Sequence, residues 1–363
     1  MRLVLIGDGE SPHLLKWART LAPQLELWVA SSRGFLPELA ALVPAERRYA
    51  MNTQAAHSGG NVAVLKGLPA LARWLQQVDA DWLHAHYLTS HGTLAWAAQR
   101  GWRLRARIAG SAWGSDILVT PKQGWAYRWL TRRVLRACAI CTSDSEHMTA
   151  EMKRLGAGEV MTFPFGLEAL PKQGAKKQPW LFFANRGLEP IYRPERVIAC
   201  FAAIAAQQSE ARLIVANDGS LRAALQAQVQ ALGLSDRVEF VGRLDARSQG
   251  GCYARARWYL SLPQSDSVSV SVLEAMAHEC LPLLSDLPAN HELMRSGHGL
   301  VLAEGDDFQS LAQRLQARLA TADAEGADNR AWVAEHGLFP PAVQRFLKAL
   351  QAIDARDSAR SSR

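Results

Sequence analysis

The sequence predicts an α/β protein of two units, each built on a parallel sheet. Three observations carry that expectation. Short apolar runs alternate with helical stretches, the pattern of βα units. The alternation breaks near residue 166, in the proline-, glycine- and lysine-bearing stretch FPFGLEALPKQGAKKQPW, and then restarts. The chain's 363 residues, 48% hydrophobic and 21% charged, suffice for two ordinary domains with large cores.

In order along the chain, RLVLIG is the first strand. Ser11 suits a helix N-cap and Pro12 the first helical position, and Leu14, Ala18 and Leu21 then mark one face. LELWVAS is a second strand, VDADWLHAHY and RLRARIAGSAWGSD each contain another, and CAICTS is a fifth. After the break come WLFFANRG (strand), PERVIACFAAIAAQ (helix), ARLIVANDGS (strand), LRAALQAQVQALGL (helix), RVEFVG and RWYLSLP (strands), and CLPLLSD (strand). A last helix sets Val343, Phe346, Leu347, Leu350 and Ile353 on one face. The expected division is 1–168, a linker 169–178, 179–335, helices at 336–355 packing back toward the first domain, and a disordered tail 356–363. Open parallel sheets bind ligands beyond the carboxyl ends of their strands, and two facing sheets would share one cleft.

Bulk properties exclude several classes. No apolar run approaches the roughly 20 residues of a membrane span, and the opening MRLVLIGDGESP is short for a secretory leader. The five cysteines, 138, 141, 200, 252 and 280, include one CxxC without a second pair, which suggests reduced cytoplasmic thiols rather than zinc. Charge is uneven: residues 1–168 hold 19 Lys/Arg against 13 Asp/Glu, and 169–363 hold 22 against 21. Nine cations and one acid, Asp116, lie between Arg100 and Arg136, a field that suits an anionic partner.

The stretch DSVSVSVLEAMAHECLPLLSDLPAN, 266–290, carries the chemistry. SVSVSV alternates as a strand does, but LEAMA is made of helix formers. If a helix begins near Ser269, the amides of about residues 268–271 form a phosphate site at its positive end. Ser267 and Ser269 would add hydroxyls, Glu274 would lie one turn in, near a ribose, and Asp266 would face a second sugar. The other reading is an N-cap aspartate and a solvent-facing helical glutamate.

The D-x7-E spacing followed by AMAHECLPLLSDLPANHEL resembles the E-x7-E signature of family-4 retaining glycosyltransferases, with VANDGSLRAALQAQVQALGLSDRVEFVGRL and YARARWYLSLP before it in the family's order. The first half is similar more loosely, through LHAHY, WGSDILVTP, TSDSEHM and FPFGLE. The resemblance implies a GT-B fold, two Rossmann-like domains with parallel sheets facing a central cleft. It implies donor-site roles for Arg186, Arg193, Ser267, Ser269, Val270, Glu274, Gly242 and Arg243. It places Asp266, Arg186, His86 and Asp116 among the catalytic groups, and Gly9, Ser11 and Trp113 on the acceptor side. Asp266 stands where the family has glutamate, serines stand for glycines, Arg193 for a lysine, and Trp113 for a histidine.

The implied activity is metal-independent, cytoplasmic transfer of a sugar with retention, from a nucleoside-diphosphate sugar to a glycan or lipid-linked acceptor, with no cofactor. A sugar-nucleotide epimerase and a silent nucleotide-sugar-binding scaffold are the alternatives. Asp79-Ala-Asp81 is a formal DxD, which the resemblance assigns to a turn. His84, His86 and His91 want a further ligand to make a metal site. GDGESP has two of the three glycines of a dinucleotide fingerprint and no matching acid. Lys122, Arg128, Arg132, Arg133 and Arg136 lie beside Trp125 and Trp129. On a helix they read either as an anchor at an anionic membrane surface or as a solvated face whose tryptophans pack inward. Nucleic acid is not expected, since no binding motif accompanies the charge.

Overall fold

The structure, a computed structural model, describes residues 1–53, 66–174 and 176–361. It divides into two compact units, Met1–Phe163 with Pro340–Arg363, and Pro164–Phe339.

The first unit holds β1 (Arg2–Gly7), β2 (Glu26–Ser31), β3 (Arg48–Ala50), β4 (Trp82–His86), β5 (Arg107–Ser111), β6 (Cys138–Ser143) and β7 (Val160–Thr162). They form one parallel sheet in the order β3-β2-β1-β4-β5-β6-β7. Leu3, Val4, Leu5 and Ile6 of β1 are all buried, as expected of a central strand covered on both faces. Ser11 caps the helix Pro12–Leu21, accepting from the His13 amide at 3.2 Å.

The second unit holds β8 (Gln178–Ala184), β9 (Arg212–Ala216), β10 (Val238–Gly242), β11 (Ala256–Ser261), β12 (Leu281–Ser285) and β13 (Leu300–Leu302), parallel in the order β10-β9-β8-β11-β12-β13. In each sheet the order reverses beside the first strand, between β1 and β4 and between β8 and β11. Such switch points are where doubly wound sheets take ligands.

Two boundaries differ from the sequence reading. The stretch 169–178, read as a linker, belongs to the second unit. Arg330 donates to the Pro171 carbonyl at 2.7 Å, and the Lys177 amine donates to the carbonyls of Tyr253 and Ala256 at 2.8 and 2.9 Å. The tail is not disordered from 356: one helix runs Phe339–Ser361. Its polar end is held because Arg107 pairs with Asp354 and, at 2.8 Å, with Asp357, while the Trp82 indole donates to Asp354 at 3.2 Å. On its apolar face Phe346 packs against Trp17 and His84, ring centroids 5.4 and 4.9 Å away.

Candidate active site

At the switch point of the second unit, β8 is followed by Asn185-Arg186, and β11 runs through a loop into the helix Val270–Ala277. The serine–valine alternation therefore ends as a helix start. Val272, Leu273, Ala275, Met276 and Ala277 are fully buried, and that burial outweighs the strand preference of the alternation. Ser269 is the N-cap residue, yet its side chain makes no capping bond. Its hydroxyl accepts from Arg186 Nη1 instead and lies 2.8 Å from Ser271 Oγ.

Arg186 collects the rest of the constellation. Its Nη2 lies 2.7 Å from Asp266 Oδ2, and its guanidinium sits over the Tyr192 ring at 4.4 Å. Burial opposes the Arg186 charge, but Asp266 and the neighbouring tyrosines outweigh it and raise the pKa. Burial also raises the Asp266 carboxyl, against Arg186 and the Ser267 amide, which donates to Asp266 Oδ1 at 3.0 Å. Glu274, one turn into the helix, is bonded through Oε2 to the Tyr253 hydroxyl at 3.0 Å and Gln249 Nε2 at 3.2 Å. It is not a simple solvent-facing glutamate.

The other expected donor residues have other partners. Arg193 pairs with Glu304 at 2.6 Å, in a left-handed conformation at φ 48°. Gly242 ends β10 at φ 70°, where its carbonyl accepts from the Asn217 amide at 2.6 Å, and Arg243 is exposed beside it.

In the first unit, Gly9 donates to Ser31 Oγ at 2.8 Å, and a Cβ there would lie 2.5 Å from the Gly34 carbonyl oxygen, so only glycine fits. His86 and Asp116 point into the protein. Asp116 is buried, with its oxygens accepting from the Leu88 and Trp113 amides at 2.8 and 2.9 Å. Burial lifts its pKa to about 6, against those bonds. His86 is buried, accepts from the Trp113 indole at 3.2 Å, and is held well below the usual histidine range by burial and then by His84, His91 and His13. Both residues thus fix Trp113, which also packs on His13 at 4.5 Å and Tyr87 at 5.9 Å. Tyr87 itself is strained at φ 62°.

The three histidines have separate partners. His84 Nε2 bonds Ser111 at 2.8 Å and His91 Nε2 bonds Ser32 at 3.0 Å. Among the described residues no group of three His, Cys, Asp or Glu is arranged to hold a metal. Asp79 ends the helix Leu68–Val78 at φ 47°, and Asp81 accepts from the Arg2 amide at 2.7 Å, so the DxD has structural work. All five cysteines are free and buried.

On the helix Trp125–Ala137, Trp125 is 83%, Trp129 49% and Tyr127 39% exposed, while Thr131, Val134 and Leu135 face inward. These tryptophans do not pack into the core. No helix among the described residues is long and apolar enough to cross a membrane.

The sequence reading missed Asn185, Tyr253 and Tyr259, which surround Arg186 and Glu274. The only signal was two tyrosines six apart, and nothing in that spacing tells a packed ring from a working hydroxyl.

Two parallel-sheet units of seven and six strands, with an arginine and a helix N-terminus meeting at a switch point, have the architecture of the GT-B fold. The comparisons agree. Residues 168–326 match the sequence model of the family Glycosyl transferases group 1, and residues 2–145 match that of Glycosyl transferase 4-like. Each match falls within one of the two units, so each unit is similar to a glycosyltransferase family model.

N-acetyl-alpha-D-glucosaminyl L-malate synthase of Bacillus anthracis is 24% identical over 220 residues, which are 57% of this chain and 57% of that protein. The chain thus spans little over half the length of this curated relative. HepE of Anabaena, solved in complex with UDP, is similar over 97% of this chain and 100% of its own, with TM-score 0.77 and 13% identity. Sucrose-phosphate synthase of Thermosynechococcus elongatus is similar over 98% and 100%, with TM-score 0.76 and 15% identity. At such identities the two structures speak for the fold alone.

Proposed function

We propose that this chain is a retaining glycosyltransferase that moves a sugar from a nucleoside-diphosphate sugar to an acceptor hydroxyl without a metal ion. The observation that carries the reading is Arg186, paired with Asp266 and bonded to Ser269 at the start of the 270–277 helix. A guanidinium and a helix N-terminus are strong diphosphate ligands, and here they converge.

In this reading the diphosphate displaces Asp266 from Arg186 and takes the amides around Ser269 and Val270. Glu274 accepts from the ribose hydroxyls, and the released Asp266 faces the transferred sugar. The anomeric carbon's bond to the phosphate oxygen breaks as its bond to the acceptor oxygen forms on the same face, and the acceptor proton passes to the departing phosphate. Cation and amides stabilise that phosphate, so neither a protein nucleophile nor a metal is required. His86 and Asp116 serve by holding Trp113, and Gly9, Ser11 and Trp113 lie on the acceptor side.

HepE was also solved with UDP-glucose, which supports a nucleotide-sugar donor for this fold. The exposed tryptophans among the cations of 122–136 favour a lipid-linked or glycan acceptor at the cytoplasmic face of an anionic membrane, in bacterial surface polysaccharide, lipopolysaccharide or glycolipid assembly.

The test is incubation with nucleotide sugars and lipid-linked acceptors, followed by NMR of the product. The new bond should keep the donor's anomeric configuration, turnover should survive EDTA, and Arg186→Ala should abolish it. A donor altered without acceptor would make the protein an epimerase. Diphosphate binding with no reaction would make it a scaffold.

A further inference from the structure

We infer that Tyr253 is a positioning residue for the donor, presenting Glu274 to the nucleotide ribose through a buried hydrogen-bond relay. The inference rests on the donor site proposed above. The relay begins at Tyr259, whose hydroxyl donates to Asn185 Oδ1 at 2.7 Å. That bond fixes the orientation of the amide, so Nδ2 donates to the Tyr253 hydroxyl at 2.8 Å. With its oxygen accepting from Asn185, Tyr253 has one proton to give. It points it between Glu274 Oε2 at 3.0 Å and the Ser271 carbonyl at 3.1 Å.

Gln249 donates to the same carboxylate oxygen at 3.2 Å. Two side-chain donors on Oε2 set the plane of the carboxylate that accepts from a diol. Burial first, then Tyr259 and the Glu274 charge, push the Tyr253 phenol well above its usual range, so it stays a neutral donor.

The middle of the relay is held in place. The Tyr253 ring packs edge-on against Phe183 at 4.9 Å and stacks on His278 at 5.4 Å, and Lys177 ties down its carbonyl. Asn185 directly precedes Arg186 in the chain. One buried network therefore sets the groups for both the ribose and the diphosphate.

Tyr253→Phe keeps the ring and removes the hydroxyl. Calorimetry uses whichever of UDP, GDP and ADP binds the wild type most tightly. The variant should lose about tenfold in affinity, the size of one hydrogen bond to a charged group. Donor KM should rise with it, while kcat at saturating donor stays within about twofold. In a Glu274→Ala background the same substitution should change nothing further. Tyr259→Phe, which cuts the relay at its start, should show the same dependence on Glu274 with a smaller loss.

Unchanged affinity in both tyrosine variants, or equal losses with and without Glu274, would overturn the inference and leave the tyrosines as packing. If Glu274→Ala binds as the wild type does, or none of the three diphosphates binds, it is the donor-site reading that fails.

Discussion

The Asp266 carboxylate does two jobs that a mutation can separate. In the structure it is the counter-ion of Arg186 in a partly buried site, where removing one partner leaves an uncompensated charge. In the proposed complex it leaves Arg186 to the diphosphate and turns to the sugar. Asp266→Asn keeps the shape and removes the competition, so the bare nucleoside diphosphate should bind at least as tightly while turnover falls about 100-fold. Weaker diphosphate binding, measured by calorimetry, would place Asp266 on the nucleotide instead. Glu274→Ala should cost about 1.5–3 kcal/mol of nucleotide affinity, the range for a hydrogen bond to a charged group. The motif was legible from sequence because its acids sit at a fixed spacing across a turn. Its supports were not, because Tyr253 and Tyr259 look like core residues until their hydroxyls are seen 3.0 Å from Glu274 and 2.7 Å from Asn185.

Among the elements, long apolar strands announced themselves and short ones did not. The strands that the sequence reading lacked, β3, β7 and β13, are three residues each and lie at sheet edges. A run that short holds no alternation to detect, and an edge strand needs less apolar surface. The helix Trp125–Ala137 poses the opposite case, since its pattern was plain and its purpose was open between two readings. Its exposed Trp125, Tyr127 and Trp129 argue for a surface that leaves water. Arg128, Arg132 and Arg133 near an anionic bilayer contribute about 1 kcal/mol each. The protein should therefore sediment with vesicles containing phosphatidylglycerol at low salt and release at high salt. Charge reversal of these three arginines to glutamate should abolish sedimentation, and Trp125→Ser should weaken it at either salt concentration. A wild type that ignores such vesicles at low salt would point to a soluble acceptor.

For the molecule as a whole, acid should act on the buried histidines of the first unit. His84, His86 and His91 are buried there, with burial as the leading cause of their lowered pKa values, to about 3 for His84 and about 4 for His91. A histidine held neutral when folded stabilises the fold above its unfolded pKa of 6.5, and that contribution is lost as pH falls toward the folded value. Each tenfold preference for the neutral ring is worth about 1.4 kcal/mol. Asp116, raised to about 6, works in the other sense and offsets part of the loss as pH falls through that value. Thermal denaturation should show a falling Tm between pH 6.5 and 4, and a flat profile would mean these rings are hydrated. The 339–361 helix that covers this histidine face brings a temporal consequence. On the ribosome the strands of the first unit emerge early, but Phe346, Asp354 and Asp357, which close over Trp17, Trp82 and Arg107, are translated only after the whole second unit. The domain begun first is finished last, and until then the nascent chain carries an open apolar face, the kind of surface that aggregates.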